Sequence, residues 1–361
     1  MPAIVSRDVA VALDMFGCPN RCRHCYLGHL PNGRMAEGDL RRLARMFRDY
    51  VRSGEDAPFF NRLTVFSWFR EPDYGPDYST LYTLENELST AGARRFELLS
   101  IWRLARDPGY AVWARRLQTD TCQISFFGVG ETQDWFYGRR GAWQDCLKAT
   151  ERLLDVGIKP RWQFFLTRRI LPEIDTLMHL VERMRLPRRV EALGGTFQMF
   201  IHPPGPDGAA RHIEHLRPTP DETRALPADL VEASRAYLGR DPLWQTEADL
   251  LEQIRTTEPH YPHTYAYPER LCFYVTRDWD VYSNMGTLDP WWRLGNLLSD
   301  GVDGIVRCFE RDGCPGLQVV YHLSPRDLAR RYGDPSGTRV YSNADDLLAL
   351  YLARHCELAR T

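Results

Sequence analysis
The sequence predicts an α/β protein: a partial (β/α)6 TIM-type barrel with a small C-terminal α+β extension. Three observations lead there. Six β-type runs alternate with segments of helical period across the first two hundred residues, and repeated βα units build parallel sheets with right-handed crossovers. The alternation then stops at "HPPGPDGAARHIEHLRPTP", a stretch rich in proline, glycine and histidine. A strand–turn–strand pattern, "ERLCFYVTRDWDVYSNMG", opens a different region beyond it. A chain of 361 residues is long enough for such a barrel and an appendage.

Each element has its own signal. "DVAVALDMF" (8–16) reads as a buried strand, and "RLTVFSWF" (62–69) as a second. Between them, 37–54 repeats apolar residues at Leu40, Leu43, Met46, Phe47 and Tyr50 and stops at a glycine, the pattern of an amphipathic helix. Residues 79–92 form a helix opened by a serine and closed by a glycine. The third strand is expected at 94–100, followed by a mainly helical 101–117. "TCQISFFG" (121–128), "KPRWQFFLT" (159–167) and "GTFQMFIH" (195–202) complete the strands, with helices at 142–157 and 171–185 between them. The organisation expected is a core barrel at 1–205, a connecting helical segment at 206–268 and a C-terminal region at 269–361. In the last region a helix is expected around 301–309 and another at 343–359.

Composition narrows the function. Hydrophobic residues make 43% and charged residues 26%, as in globular proteins. The 46 basic and 48 acidic residues nearly balance, which argues against a general nucleic-acid binder or a basic membrane-surface protein. No apolar run reaches the roughly 18 residues of a membrane span. The start, "MPAIVSRDVAVALDMFGCPN", lacks the basic, apolar and cleavage segments of a signal peptide. Nine cysteines without such a signal point to a reducing, cytoplasmic setting, where clustered thiols are ligands or catalysts before they are disulfides.

The cluster is "CPNRCRHCY", with Cys18, Cys22 and Cys25 directly after the first strand. In a βα barrel that places it on the C-terminal face, where the chemistry sits. A structural zinc ion needs four ligands, and the loop offers three thiols with His24 among them. A [4Fe–4S] cluster held by three thiols leaves one iron open for a chelating cofactor. A zinc or redox motif on an unrelated α/β fold is the competing explanation.

The loop resembles that of the radical S-adenosylmethionine (SAM) superfamily, whose motif is CxxxCx-aromatic-C, with His24 in the aromatic place. The resemblance covers about residues 8–202. It implies that SAM chelates the open iron, accepts an electron from the cluster, and yields a 5′-deoxyadenosyl radical that abstracts substrate hydrogen. It also implies SAM contacts. The second strand ends "SWFREP", where Phe69 and Arg70 replace the glycines of a GGEP-like motif while Glu71 and Pro72 remain; Arg70 and Glu71 are thus at the methionyl end. Ser125 on "CQISFFG" takes the place of a ribose- or carboxylate-contacting serine. Arg139 or Arg140 pairs with the SAM carboxylate; the sequence does not choose. Tyr26 packs near the adenine, and Gln163 faces the same side. Arg21 and Arg23 are either tuners of the cluster potential or solvent-facing.

The region after 269 is similar to the SPASM and twitch auxiliary-cluster domains, in Cys272, "DWDVYSN", "LGNL" and the pair Cys308 and Cys314. Asn284 and Ile305 stand where two of the usual cysteines would be. One auxiliary cluster on Cys272, Cys308 and Cys314, with Cys356, stays open beside a degenerate domain of buried or reactive thiols. In an epimerase-type reaction Cys308, Cys314 or Cys272 would return hydrogen to the substrate. Cys122 and Cys146 are expected in the core, and His202, His212 and His215 in a surface connection.

The resulting expectation is a radical SAM enzyme acting on a small-molecule natural-product intermediate by epimerisation, dehydrogenation or bond formation. The alternative is a maturase of a ribosomally made peptide, weakened by the 17 residues before the loop. A non-catalytic iron–sulfur or zinc protein is a third reading. The implied partners are a substrate and a reductant such as flavodoxin or ferredoxin, with no nucleic acid and no membrane.

Overall fold
The computed structural model describes residues 4, 7–13, 18–28, 35–66, 75–90, 98–257, 271–283 and 288–359. Among them, two main sheets carry the fold. The first runs in the order β2 (Arg62–Phe66), β1 (Asp8–Leu13), β7 (Leu271–Val275), β8 (Asp280–Tyr282), β9 (Arg293–Asn296). The second is β3 (Thr121–Phe126), β4 (Lys159–Phe165), β5 (Gln198–His202), all parallel. A two-residue strand β6 (Gln245–Thr246) pairs antiparallel with β10 (Val340–Tyr341).

The strands expected from the sequence at 8–16, 62–69, 121–128, 159–167 and 195–202 all contain observed strands. The expected strand at 94–100 falls mostly outside the described residues, and Leu98 to Ser100 pair with no strand. The described strands therefore stand as two parallel groups rather than as one closed barrel. The C-terminal hairpin departs from expectation in one respect. β7 and β8 are antiparallel, as a hairpin requires, but β7 also lies parallel to β1, from Val9↔Leu271 to Leu13↔Val275. The C-terminal region thus extends the first sheet. Burial on both sides explains the uninterrupted apolar run "LCFYV".

Side-chain alternation decides what each sheet face does. In β3 the residues Cys122, Ile124 and Phe126 are buried against the helices, while Thr121, Gln123 and Ser125 turn to the other side. In β1, Val9, Val11 and Leu13 pack under the helix Glu37–Arg48, whose Leu40, Leu43, Ala44 and Phe47 fill the same core. Ala10 and Ala12 face the interior between the sheets, where their small side chains leave room. The expected helix over 101–117 is two helices, Ile101–Arg106 and Pro108–Arg116. Pro108 disfavours a helical Asp107 and donates no hydrogen bond, so the helix restarts there with Asp107 as its cap.

The connection after β5 is held by a buried ion pair. Arg217 is 1% exposed. Its Nε meets both Glu214 carboxylate oxygens at 2.8 and 2.7 Å, and its other nitrogens donate to Val340 O and Pro204 O at 3.2 and 2.6 Å. Tyr341 donates to Glu214 Oε2 at 3.0 Å and lies 4.2 Å below the guanidinium. Removing one partner leaves the other charge buried and uncompensated. Arg217→Met is expected to destabilise by about 3–5 kcal/mol, and the double change with Glu214→Leu by clearly less. Urea unfolding of the three variants checks this; equal losses in the single and double variants would contradict it.

Candidate functional site
The cysteine loop lies beyond the C-terminal end of β1 and is pinned from three sides. Arg21 N donates to Tyr137 O and Arg23 N to Phe136 O, both at 2.9 Å. These carbonyls end the helix Glu131–Tyr137, where intrahelical partners run out. Within the loop, Cys25 N donates to Cys22 O at 3.1 Å, and Gly28 N to Cys25 O at 3.0 Å. From the far side, Ala209 N donates to Cys25 O at 2.8 Å. Asn20 N donates to Cys18 Sγ at 3.4 Å, and Arg139 holds the Asn20 side chain at 2.8 Å.

Two glycines make this approach possible. Gly138 has φ +63°, and a Cβ there would stand 2.6 Å from Arg21 O. Gly208 has φ +56°, and a Cβ there would run into Tyr26 O and stand 2.6 Å from Cys25 O. Both positions need glycine twice, for the left-handed backbone and for the close contact.

The loop bridges the interior faces of the two sheets. His24 packs at a tilt against Phe127 and Phe165, at centroid distances of 4.2 and 4.8 Å, at the ends of β3 and β4. Cys25, Tyr26 and Leu27 pack with Ala10, Ala12, Cys272 and Tyr274 on the first sheet. Burial, and secondarily His202, pull the His24 imidazole down to about 3, so it is neutral at ordinary pH. Its Nδ1 is buried without a hydrogen-bond partner among the described residues. Burial, and then the Cys25 and Cys272 thiols, push the Tyr26 phenol up.

Beneath the loop, the interior face of β3–β5 carries a directional polar chain. Arg161 donates to Gln123 Oε1 at 3.1 Å. Gln123 Nε2 and Ser125 Oγ both donate to Gln163 Oε1, at 2.5 and 3.0 Å. Gln163 Nε2 meets His202 Nε2, and His202 Nδ1 meets Pro203 O at 2.7 Å. A carbonyl only accepts, so His202 carries its proton on Nδ1 and accepts from Gln163 at Nε2. Burial pulls His202 down to about 4, although the bond to Pro203 opposes the shift. His202, expected in a surface connection, is thus an interior residue at the end of β5. His212 and His215 are exposed.

The other expected site residues divide. Ser125 and Gln163 lie in register on the interior face. Arg139 is tied to Asn20 and, at 2.7 Å, to Asp145, so it braces the loop; Arg140 is exposed. Arg70 and Glu71 lie outside the described residues, as does Asn284. Cys122 and Cys146 are fully buried. The four thiols considered for an auxiliary cluster are not brought together. Cys272 faces the interior beside Tyr26, whereas Cys314 and Cys356 are in the apolar core on the other side of β7, with Cys308 packed against it. Burial pushes the Cys314 thiol up to about 11 and also raises Cys308.

None of the nine cysteines is in a disulfide, and those of the loop are partly exposed. Among the described residues no three His, Cys, Asp or Glu side chains converge as ligands of a single metal ion. A cubane takes each thiol on a different iron, so its ligands stand apart around the cluster. Three partly exposed thiols on one pinned turn, beside a buried imidazole nitrogen without a partner among the described residues, fit that donor set.

No sequence-family profile and no curated protein matches the chain. Solved structures do. Native anSMEcpe with bound AdoMet superimposes with a TM-score of 0.52 at 12% identity, covering 97% of this chain and 97% of that one. The chain shares its fold with anSMEcpe. A tagged form of anSMEcpe with bound AdoMet gives 0.51 at 12% identity, over 98% of this chain and 94% of that one. SuiB of Streptococcus suis bound to its precursor peptide SuiA is more distant, at 14% identity over 90% and 75% with a TM-score of 0.38, and carries no argument. No helix among the described residues is long and apolar enough to cross a membrane.

Proposed function
We propose that the chain is a radical SAM enzyme that modifies a peptide, built on a partial βα barrel whose two halves are the two parallel groups of strands. The observation that carries this is the pinned CxxxCxxC loop across the interior ends of both sheets, in a fold like that of AdoMet-bound anSMEcpe. The same anSMEcpe has been solved with AdoMet and the Cp18Cys peptide. That supports the peptide alternative over the small molecule expected from the sequence.

Cys18, Cys22 and Cys25 would hold a [4Fe–4S] cluster with one open iron. With SAM bound, the cluster supplies one-electron cleavage of the sulfonium and so a hydrogen-abstracting radical. The chain's own residues bind and orient. The relay through His202 fixes the Gln163 amide with its oxygen toward Ser125, so the Ser125 hydroxyl proton is committed and its lone pairs face the interior as acceptors. His24, Phe127 and Phe165 form an apolar wall that excludes water next to the loop.

The reading is tested by anaerobic reconstitution, dithionite reduction and addition of SAM; 5′-deoxyadenosine is the expected product, and its absence from a protein loaded with iron would overturn the assignment. Within the reading, His202→Phe removes the acceptor that orients Gln163. It is expected to raise the KM for SAM about fivefold, in line with about 1 kcal/mol for one buried hydrogen bond, with little change in kcat. His202→Gln, which keeps an acceptor, should recover most of that loss; a lower kcat at unchanged KM would rule the relay out.

A further inference from the structure
The interior side of the cysteine loop is occupied by His24 and Tyr26 and by the polar face below, so an electron must arrive from the other side. That side has a distinctive feature. Trp135 carries a guanidinium on each of two approaches, Arg23 at 4.1 Å and Arg169 at 3.8 Å from the ring centroid. Arg23 is further fixed by donating to Trp135 O at 3.1 Å. Neither arginine has a carboxylate partner among the described residues, and Arg21 and Arg140, both exposed, have none either. Nearby Arg211 is neutralised by Asp289 and Glu357 at 3.0 and 2.8 Å. An open cleft of about 330 Å³ adjoins the stack, lined by Arg23, Trp135, Gly208, Ala209, His212 and His215.

The whole chain has a net charge of only -2, so this positive rim is a local arrangement and not a reflection of composition. Arg23 follows Cys22 in the chain and is bonded to Trp135 O and Phe136 O, so the rim lies next to a loop thiol. Electron-transfer encounters are small in area and guided by charge complementarity, which sets their on-rate. We propose that the arginine-flanked Trp135 rim outside the cysteine loop is the docking surface for a small acidic electron-carrier protein of the flavodoxin kind. The proposal rests on the radical SAM reading, which requires an external electron.

The test uses the reconstituted full chain and a purified flavodoxin. Arg169→Glu is expected to weaken flavodoxin binding at low salt about tenfold and to flatten its dependence on ionic strength. Arg169→Gln should give an intermediate loss. Arg183→Glu, exposed at the C-terminal end of the helix Ile174–Arg183, should give none. In turnover, Arg169→Glu should slow flavodoxin-driven 5′-deoxyadenosine formation about tenfold while dithionite-driven formation stays within about twofold. Unchanged binding in Arg169→Glu, or equal losses with both reductants, would overturn the proposal. So would intact flavodoxin binding with weakened binding of an acidic peptide, which would make the rim a substrate surface. If wild type forms no 5′-deoxyadenosine with dithionite, the functional reading fails, and the binding arm alone still decides whether the rim receives the carrier.

Discussion

Cys22→Ala is expected to abolish cluster assembly and SAM cleavage while leaving the fold in place. Cys22 sits at the middle of the loop, between the two backbone bonds to the end of helix Glu131–Tyr137. Those bonds use Arg21 N and Arg23 N and do not involve the thiol, so the loop's path survives the substitution. Cys22 is partly exposed, so the lost packing costs about 1 kcal/mol. The ligand loss is of another order. A cubane with two protein thiols has two open irons and is not retained, so iron should fall from about four per chain to near none. The checks are iron per chain, the charge-transfer absorbance and 5′-deoxyadenosine, beside a urea curve. Cys146→Ala separates ligation from burial. Its thiol is fully buried and accepts from Gln133 at 3.4 Å, so it should lower stability by about 1–2 kcal/mol without lowering iron. Full iron in Cys22→Ala would remove the cluster assignment.

How much of this was legible in the sequence depends on whether the signal is local. Strand and helix positions came through, because alternation in "TCQISF" and the helical period of "AWQDCLKATERLLD" are properties of consecutive residues. The cysteine spacing was legible for the same reason. What lies between distant segments was not. Nothing in "LCFYV" says that β7 lies beside β1, which is what carries Cys272 to the interior and away from Cys308 and Cys314. His202 looked like the start of a histidine-rich link, and only the strand register shows it completing a relay from Gln123 through Gln163. Arg139 also makes contacts that the sequence does not show, to Asn20 and Asp145. The arginine stack on Trp135 joins residues 23, 135 and 169, a juxtaposition no single window contains.

The glycines were the least legible, since "YGRR" and "GPDG" read only as turns. Gly208→Ala is expected to release the cysteine loop. The position has φ +56°, which an alanine tolerates poorly. The steric effect is larger still, because the added carbon meets the Tyr26 and Cys25 carbonyl oxygens, which are backbone and cannot rotate away. Either the loop shifts or the segment carrying Ala209 does, and the 2.8 Å bond from Ala209 N to Cys25 O is lost in both cases. Strain and clash together should lower stability by about 2–4 kcal/mol and displace a ligand residue. Gly239 isolates the second effect. It has φ +63°, but a Cβ there would meet nothing within 4 Å, so Gly239→Ala should cost about 1 kcal/mol and leave iron uptake intact. The pair is compared by iron per chain after reconstitution and by urea unfolding. Less than half the wild-type iron in Gly208→Ala, with full iron in Gly239→Ala, assigns the effect to the contact with the loop. Equal iron in both would mean that the close approach at Gly208 does not position Cys25.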